Sequence, residues 1–433
     1  MKLQSDRLYS KAAIEFMKAN RMHEDDIDLE ASLESYLFEM EKGLRGKAML
    51  PMVPTYIHGD IAPARGKYAL AVDVGGTNLR LALVRLDKLR RVRLSRMKKA
   101  PLPGLAGPVE SAEFFDILAG HIVPYLAHTN LVSFSFAHEI HHMSNLDGKV
   151  MALSKELTVN GIQGKMLGEE LKTALAQRGC GEARVIVLND TVGVAGCMAD
   201  RFDDYDSFIG LVMGTGTNTC YIEETKNIGK VSDAQERCMF INVESAEFDP
   251  ISRGELDHVL DKTTDAPGTA PLEKMISGRY VGNLFWLTVK QAAIDGLLSK
   301  ELKKTISSGA MMDTITMSGF LSDPYEGEYS NMCASDSDRA FLYTAAETIV
   351  RRGAKLIALE IAGAALKTGK GTSSERPICV IAEGTTYYTL KGLKRGIERL
   401  MNEWLREKGV YVSIKKIDNA ALKGIGLIGL SYL

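Results

Sequence analysis

The stretch Tyr68-Ala-Leu-Ala-Val-Asp73-Val-Gly75-Gly76-Thr77-Asn78-Leu-Arg80-Leu-Ala-Leu-Val-Arg85 decides the fold. Two apolar runs joined by Gly75-Gly76 read as two buried strands with a tight turn between them. Downstream, Phe208-Ile-Gly-Leu-Val-Met213 and Asn218-Thr-Cys-Tyr-Ile-Glu223 repeat this arrangement around Gly214-Thr215-Gly216-Thr217. Between the two hairpins, Leu131 to Phe136 reads as a further strand, and Val185-Ile-Val-Leu188 runs into Asn189-Asp190-Thr191. The pattern is a weak internal duplication within an α/β chain. No short period recurs, which excludes a solenoid.

These residue types suit phosphoryl transfer, a reaction that depends on positioning and charge neutralisation more than on covalent chemistry. Glycines let backbone N–H groups approach phosphate oxygens with no Cβ in the way. Thr77, Thr215 and Thr217 add hydroxyl donors. Asp73 is placed to hold Mg²⁺ through water, since Mg²⁺ keeps part of its hydration shell. Asp190, at the open end of a buried strand, is the candidate base for an attacking alcohol. Taken singly, a Gly-Gly-Thr segment is a hairpin turn and an Asn-Asp pair is a cap. In this order, each after a buried run, they point to an ATP-dependent kinase or ATPase cleft.

At 433 residues the chain exceeds one ordinary core, so two domains or more are expected. A net charge of −2, with 25% charged residues, gives no reason to expect nucleic acid or an acidic membrane as partner. The basic cluster from Lys88 to Lys99 reads as a solvated strand edge or loop. The six cysteines lack zinc-ligand spacing and fit reduced thiols in a cytoplasmic protein. No signal peptide and no transmembrane helix are expected. Leu29, Leu33, Leu37, Met40 and Leu44 predict a helix near the start, followed by a linker from Pro51 to Gly66. From about Leu284 the chain reads as mostly helical, with Arg339 to Leu366 one helical stretch lightly broken at Gly353 and Gly363. Val380 to Gly384 reads as a late strand and Gly424 to Gly429 as a closing helix.

With those residues in hand, the chain resembles the hexokinase family of larger eukaryotic-type hexokinases and glucokinases, in order from about Leu37 to the C-terminus. Asp73-Val-Gly75-Gly76-Thr77-Asn78-Leu-Arg80 is similar to the family's first phosphate segment, and Gly214-Thr215-Gly216-Thr217-Asn218 to its second. Phe134-Ser-Phe136 resembles the sugar-binding strand. Ser154-Lys155 matches a Thr-Lys pair that reaches the sugar, and Asn189-Asp190-Thr191 the segment with the catalytic aspartate. Asn242-Val-Glu244 matches an Asn-x-Glu that binds sugar hydroxyls, and Glu273 stands where a second such carboxylate is found. Glu383-Gly384-Thr385 sits where the family has an adenosine-side Asp-Gly-Ser. The resemblance implies a two-lobed actin-like ATPase (ribonuclease H-like) fold with a central cleft. The small lobe would be residues 64–190 with 420–433, and the large lobe 1–63 with 191–419.

The same resemblance implies an ATP:hexose 6-phosphotransferase acting in glycolysis. Its expected substrates are MgATP and a hexose, glucose by default. Asp190 and Lys155 are expected to be catalytic, and Ser154, Lys155, Asn189, Asp190, Asn242, Glu244 and Glu273 to hold the sugar. Arg80 is read as ordering the first loop or as a structural ion pair. The family pattern is departed from at Ala137-His138-Glu139, where Pro-small-Ser is usual. Trp-Gly is replaced by Ser245-Ala246, and a Gly-Ser-Gly turn by Ala420-Ala421-Leu422. The first two bear on sugar identity and the third on the nucleotide base. Two other readings stay open: a kinase for an amino hexose, motivated by Glu139, and a catalytically weak sugar-binding regulator. A cytoskeletal or chaperone-like ATPase would leave the sugar segments without a purpose.

Overall fold

The computed structural model describes residues 8–76, 78–153, 157–231 and 237–433. Val53–His58 forms strand β1, inside the segment expected to be a linker. It is an edge strand, a position that tolerates Pro54.

Unbroken apolar runs give strands covered on both faces. β2 (Tyr68–Val74), β3 (Asn78–Leu86), β4 (Val92–Pro101), β5 (Leu131–Phe136) and β6 (Arg184–Leu188) form one sheet in the order β6-β5-β2-β3-β4. β2, β3 and β4 are antiparallel neighbours, whereas β5 and β6 join in parallel. β7 (Ser207–Met213), β8 (Thr217–Glu224), β9 (Cys238–Asn242), β10 (Ile378–Glu383) and β11 (Val412–Lys415) repeat that topology. The second sheet has the order β1-β9-β8-β7-β10-β11: the same three antiparallel strands followed by two parallel ones, with β1 added antiparallel at the outer edge. The internal duplication is thus one of whole sheets, with a glycine hairpin between the first two strands of each. The basic residues Arg93, Arg96, Lys98 and Lys99 lie exposed on the edge strand β4.

Five of the helices bear on the site and on the packing around it. α1 (Leu29–Arg45) starts at Asp28, whose carboxylate accepts the N–H groups of Glu30 and Ala31. α2 (Asp190–Gly196) follows β6 directly, and α3 (Pro271–Ile276) precedes the helical region. α4 (Asp336–Thr368) runs unbroken through Gly353 and Gly363. Gly363 is a packing device and not a breaker, since a Cβ there would lie 2.4 Å from Cδ1 of Tyr36 in α1. α5 (Ala420–Leu430) is the closing helix.

α2 and α5 stand between the two sheets. α5 packs on β2 and β3, α2 packs on β7, and the two helices pack extensively on each other. Their approach is very close, because a Cβ on Gly424 would lie 1.7 Å from the carbonyl oxygen of Gly193. One apolar cluster joins both sheets here, with Ala69, Val84, Val192, Ala195, Phe208, Ile381, Ile425 and Ile428 all buried. The outer faces carry their own cores, one with Phe114 and Phe134, the other with Leu211 and the apolar face of α4. Among the described residues, no helix is long and apolar enough to cross a membrane.

Candidate active site

The first hairpin turn connects β2 to β3, with the Gly75 N–H donating to the Asn78 carbonyl at 3.2 Å. Asp73, the penultimate residue of β2, is 1% exposed and lies directly opposite Arg80 in the register. Arg80 Nε donates to Asp73 Oδ2 at 2.8 Å, so both readings of Arg80 merge: it is an ion pair that also braces the loop. Burial pushes the Asp73 carboxyl above its ordinary range, Arg80 opposes this, and the charge of Asp190 adds to it. Glu383, at the end of β10, lies 4.0 Å from Arg80 Nη2. Its Oε2 accepts the Ala421 N–H at 3.0 Å, so the Ala420-Ala421-Leu422 segment opens α5 on this carboxylate. Burial raises Glu383 as well, offset by Arg80, with Asp73 and Asp190 adding repulsion. Three carboxylates from three elements therefore share one guanidinium.

Asp190 is the first residue of α2, and Asn189 caps that helix by accepting the Thr191 N–H at 2.9 Å. Asp190 Oδ1 accepts the same N–H at 2.8 Å and the Thr191 hydroxyl at 3.3 Å, which fixes its carboxylate.

The second hairpin leaves β7 at Met213 and re-enters β8 at Thr217. Asn218, the second residue of β8, organises the neighbouring carboxylate. Its Nδ2 donates to Asn242 Oδ1 at 3.0 Å, and its Oδ1 accepts the Glu244 N–H at 3.1 Å. Asn242 Nδ2 in turn donates to Glu244 Oε1. Glu244 has a left-handed backbone, φ 57°, a strained conformation for a residue with a Cβ. Burial pushes its carboxyl up to about 7, with like charges on Asp190, Glu139 and Glu247 contributing. Glu273, in α3, accepts the Thr217 N–H at 3.1 Å through Oε2.

A cavity of ≈ 560 Å³ opens beside this loop, lined by Gly214, Thr215, Gly278, Ser318, Thr385 and Thr386 among others. Both the Thr386 hydroxyl and the Gly278 N–H donate to the Gly214 carbonyl at 2.8 Å. Gly384 has φ 121°, and a Cβ there would lie 2.1 Å from the Met213 carbonyl oxygen. The side nearest the second hairpin is therefore built for close backbone contact.

The structure thus groups Gly75, Gly76, Asp73, Arg80, Asp190 and Glu383 around the first hairpin. It groups Asn242, Glu244, Glu273, Gly214, Thr215, Gly216, Thr217, Gly384 and Thr385 around the second hairpin. Thr77, Ser154 and Lys155 lie outside the described residues. Of the departures, His138 is buried against the Phe136 ring and Glu139 is exposed. Sequence reading passes over Asn218 as a hub, although it sits inside the quoted Gly-Thr-Gly-Thr-Asn segment.

Two sheets of like topology, each headed by a glycine hairpin, with a fixed carboxylate between them, define the actin-like ATPase fold. Two profiles described as hexokinase match the chain, one over residues 16–199 and one over residues 208–431. Hexokinase-1 of Schizosaccharomyces pombe is 28% identical over 91% of this chain and 84% of its own. Hexokinase-7 of Oryza sativa subsp. japonica is 26% identical over 91% of each chain. A solved hexokinase from Schistosoma mansoni, complexed with glucose, superposes with a TM-score of 0.80 at 21% identity, covering 99% of both chains. The chain belongs to the hexokinase family. The family, fold class and enzyme class expected from the sequence are borne out, and the protein is a hexose kinase.

Proposed function

We propose that this enzyme transfers the γ-phosphoryl group of ATP to the 6-hydroxyl of a hexose, glucose by default, with Asp190 as the base. The observation that carries the reading is the convergence of Asp190, at the head of α2, with Glu244, beside the second glycine hairpin. The charge of Asp190 is felt at Glu244 although the two follow strands of different sheets. Asp190 Oδ1 is held by Thr191, so Oδ2 takes the proton as the hydroxyl attacks. Glu244, Glu273, Asn242 and Asn189 accept or donate hydrogen bonds to sugar hydroxyls, and Ser154 and Lys155 are assigned to the same task. The backbone N–H groups of Gly75, Gly76 and Asn78 and of Gly214 to Thr217 are assigned to the phosphates, as is Thr77. Glu383, Gly384 and Thr385 stand on the nucleoside side.

Among the described residues, Asp73, Asp190 and Glu383 surround the single guanidinium of Arg80, so the donor set suits a hard divalent ion held through oxygen and water. Mg²⁺, when bound, neutralises charge on the phosphoryl oxygens. The lobes, taken as 64–190 with 420–433 and 1–63 with 191–419, would close over the sugar and exclude water. The setting we assign is cytoplasmic, in glycolysis.

A coupled ADP-release assay with MgATP over a hexose panel, wild type beside Asp190→Ala, tests this. Sugar-dependent turnover that vanishes in the variant supports it. Sugar-induced thermal stabilisation without turnover would favour a sugar-binding regulator instead. A second reading, an amino hexose as substrate, is favoured by Glu139, whose charge is felt at Glu244. Glucosamine with no kcat/KM advantage over glucose, unchanged by Glu139→Ser, would sink it.

A further inference from the structure

Glu360 is 0% exposed, within the run Leu356-Ile-Ala-Leu-Glu360-Ile-Ala-Gly-Ala-Ala-Leu366 of α4. A carboxylate in such a setting is costly unless donors meet its oxygens. Three hydroxyls do. Thr217 Oγ1 donates to Oε1 at 3.0 Å and to Oε2 at 3.2 Å. Thr219 Oγ1 and Ser245 Oγ donate to Oε2 at 2.9 and 2.6 Å. Among the described residues, no lysine, arginine or histidine forms a salt bridge with it. The groups facing it are Tyr36 from α1 and Glu273 from α3, besides the three hydroxyls. An apolar residue would cost the core less, so stability alone does not account for a carboxylate here.

The location of the three donors does. Thr217 is the last residue of the glycine loop and also gives its N–H to Glu273. Thr219 lies two residues further along the same face of β8. Ser245 follows Glu244 directly and stands where the resembling family has Trp. One carboxyl thus binds the phosphate loop and the flank of a sugar carboxylate to a single helix. Resting on the hexose kinase reading, we infer that Glu360 is a positioning residue for phosphoryl transfer. Through Thr217, Thr219 and Ser245 it fixes the second glycine loop and Glu244 in one register.

The test is steady-state kinetics of Glu360→Ala and Glu360→Gln, measured below the Tm of each. Glu360→Ala raises KM for both hexose and MgATP and lowers kcat/KM on the order of 10- to 100-fold, as expected for a displaced reaction geometry. Glu360→Gln keeps the length and an acceptor oxygen and brings both KM values back towards wild type. A lowered Tm with wild-type kinetics in Glu360→Ala, or a Gln variant as impaired as Ala, overturns the inference. If Glu360→Ala does not fold, Ser245→Ala decides: a raised hexose KM supports the anchoring, and an unchanged one overturns it. Absence of hexose turnover in the wild type would instead remove the reading on which the inference stands.

Discussion

The backbone N–H of Thr217, at the end of the second glycine loop, is held by the carboxylate of Glu273 at 3.1 Å. A group assigned to the sugar is thus already bonded to a group assigned to phosphate. If Glu273 takes a sugar hydroxyl as proposed, sugar arrival would be felt at the second glycine loop through this bond. Glu273→Ala is expected to raise KM for MgATP as well as for hexose. Initial-rate measurements with each substrate varied against the other would show this, and a change confined to the hexose would refute the link.

Asp190→Ala is expected to lower kcat by orders of magnitude while hexose affinity falls far less. Equilibrium binding by calorimetry, set beside the turnover number, separates the two. Equal losses in both would mark Asp190 as a structural cap of α2.

Glu244 has its carboxyl raised to about 7, chiefly by burial and then by Asp190 and Glu139. Its protonation removes an acceptor for sugar hydroxyls, so hexose kcat/KM should fall as pH drops below about 7. Removing one like charge with Glu139→Gln favours the ionised form, which shifts that acid limb to lower pH. A pH–rate profile of both proteins would expose an unmoved limb.

Glu360 is likewise raised by burial to about 7, against 4.5 for an unperturbed side chain. The native state therefore binds more protons than the unfolded chain between these values. The group's contribution is fully present below about 4.5 and is lost as pH rises through about 7. Glu360→Gln cannot titrate. Its Tm should gain on wild type between about pH 5 and pH 8, and a constant Tm difference over that range would contradict the assignment.

Gly384→Ala combines φ 121° with a Cβ 2.1 Å from the Met213 carbonyl oxygen. The variant should lose about 2 kcal/mol or more of stability and raise KM for MgATP beyond any effect on hexose. Thermal melts and nucleotide titration check both parts.

Much of the fold is legible in the chain because buried strands announce themselves as apolar runs and glycine turns join them. β2, β3, β7 and β8 all read that way, and so does the carboxylate at the end of β6. β1 is hidden, since Pro54 and its short length give the look of a linker. The break expected at Gly363 does not occur, because that glycine answers to Tyr36 across the helix pair and not to its own helix. Glu360 has one signal in the sequence, a lone charge in an apolar helical run. Its meaning depends on Thr217, Thr219 and Ser245, each more than a hundred residues away in sequence.

The close crossing of α2 and α5 carries a mechanical consequence. Points on a turning body travel in proportion to their distance from the axle. A helix pair wedged between the sheets, with glycine against backbone at Gly193 and Gly424, is the place where such an axle fits. Asp190 begins one of those two helices. If the lobes swing as proposed, the glycine hairpins and the carboxylates assigned to the sugar would sweep the long arcs, while Asp190 would stay nearly at rest and the reactants would be carried to it.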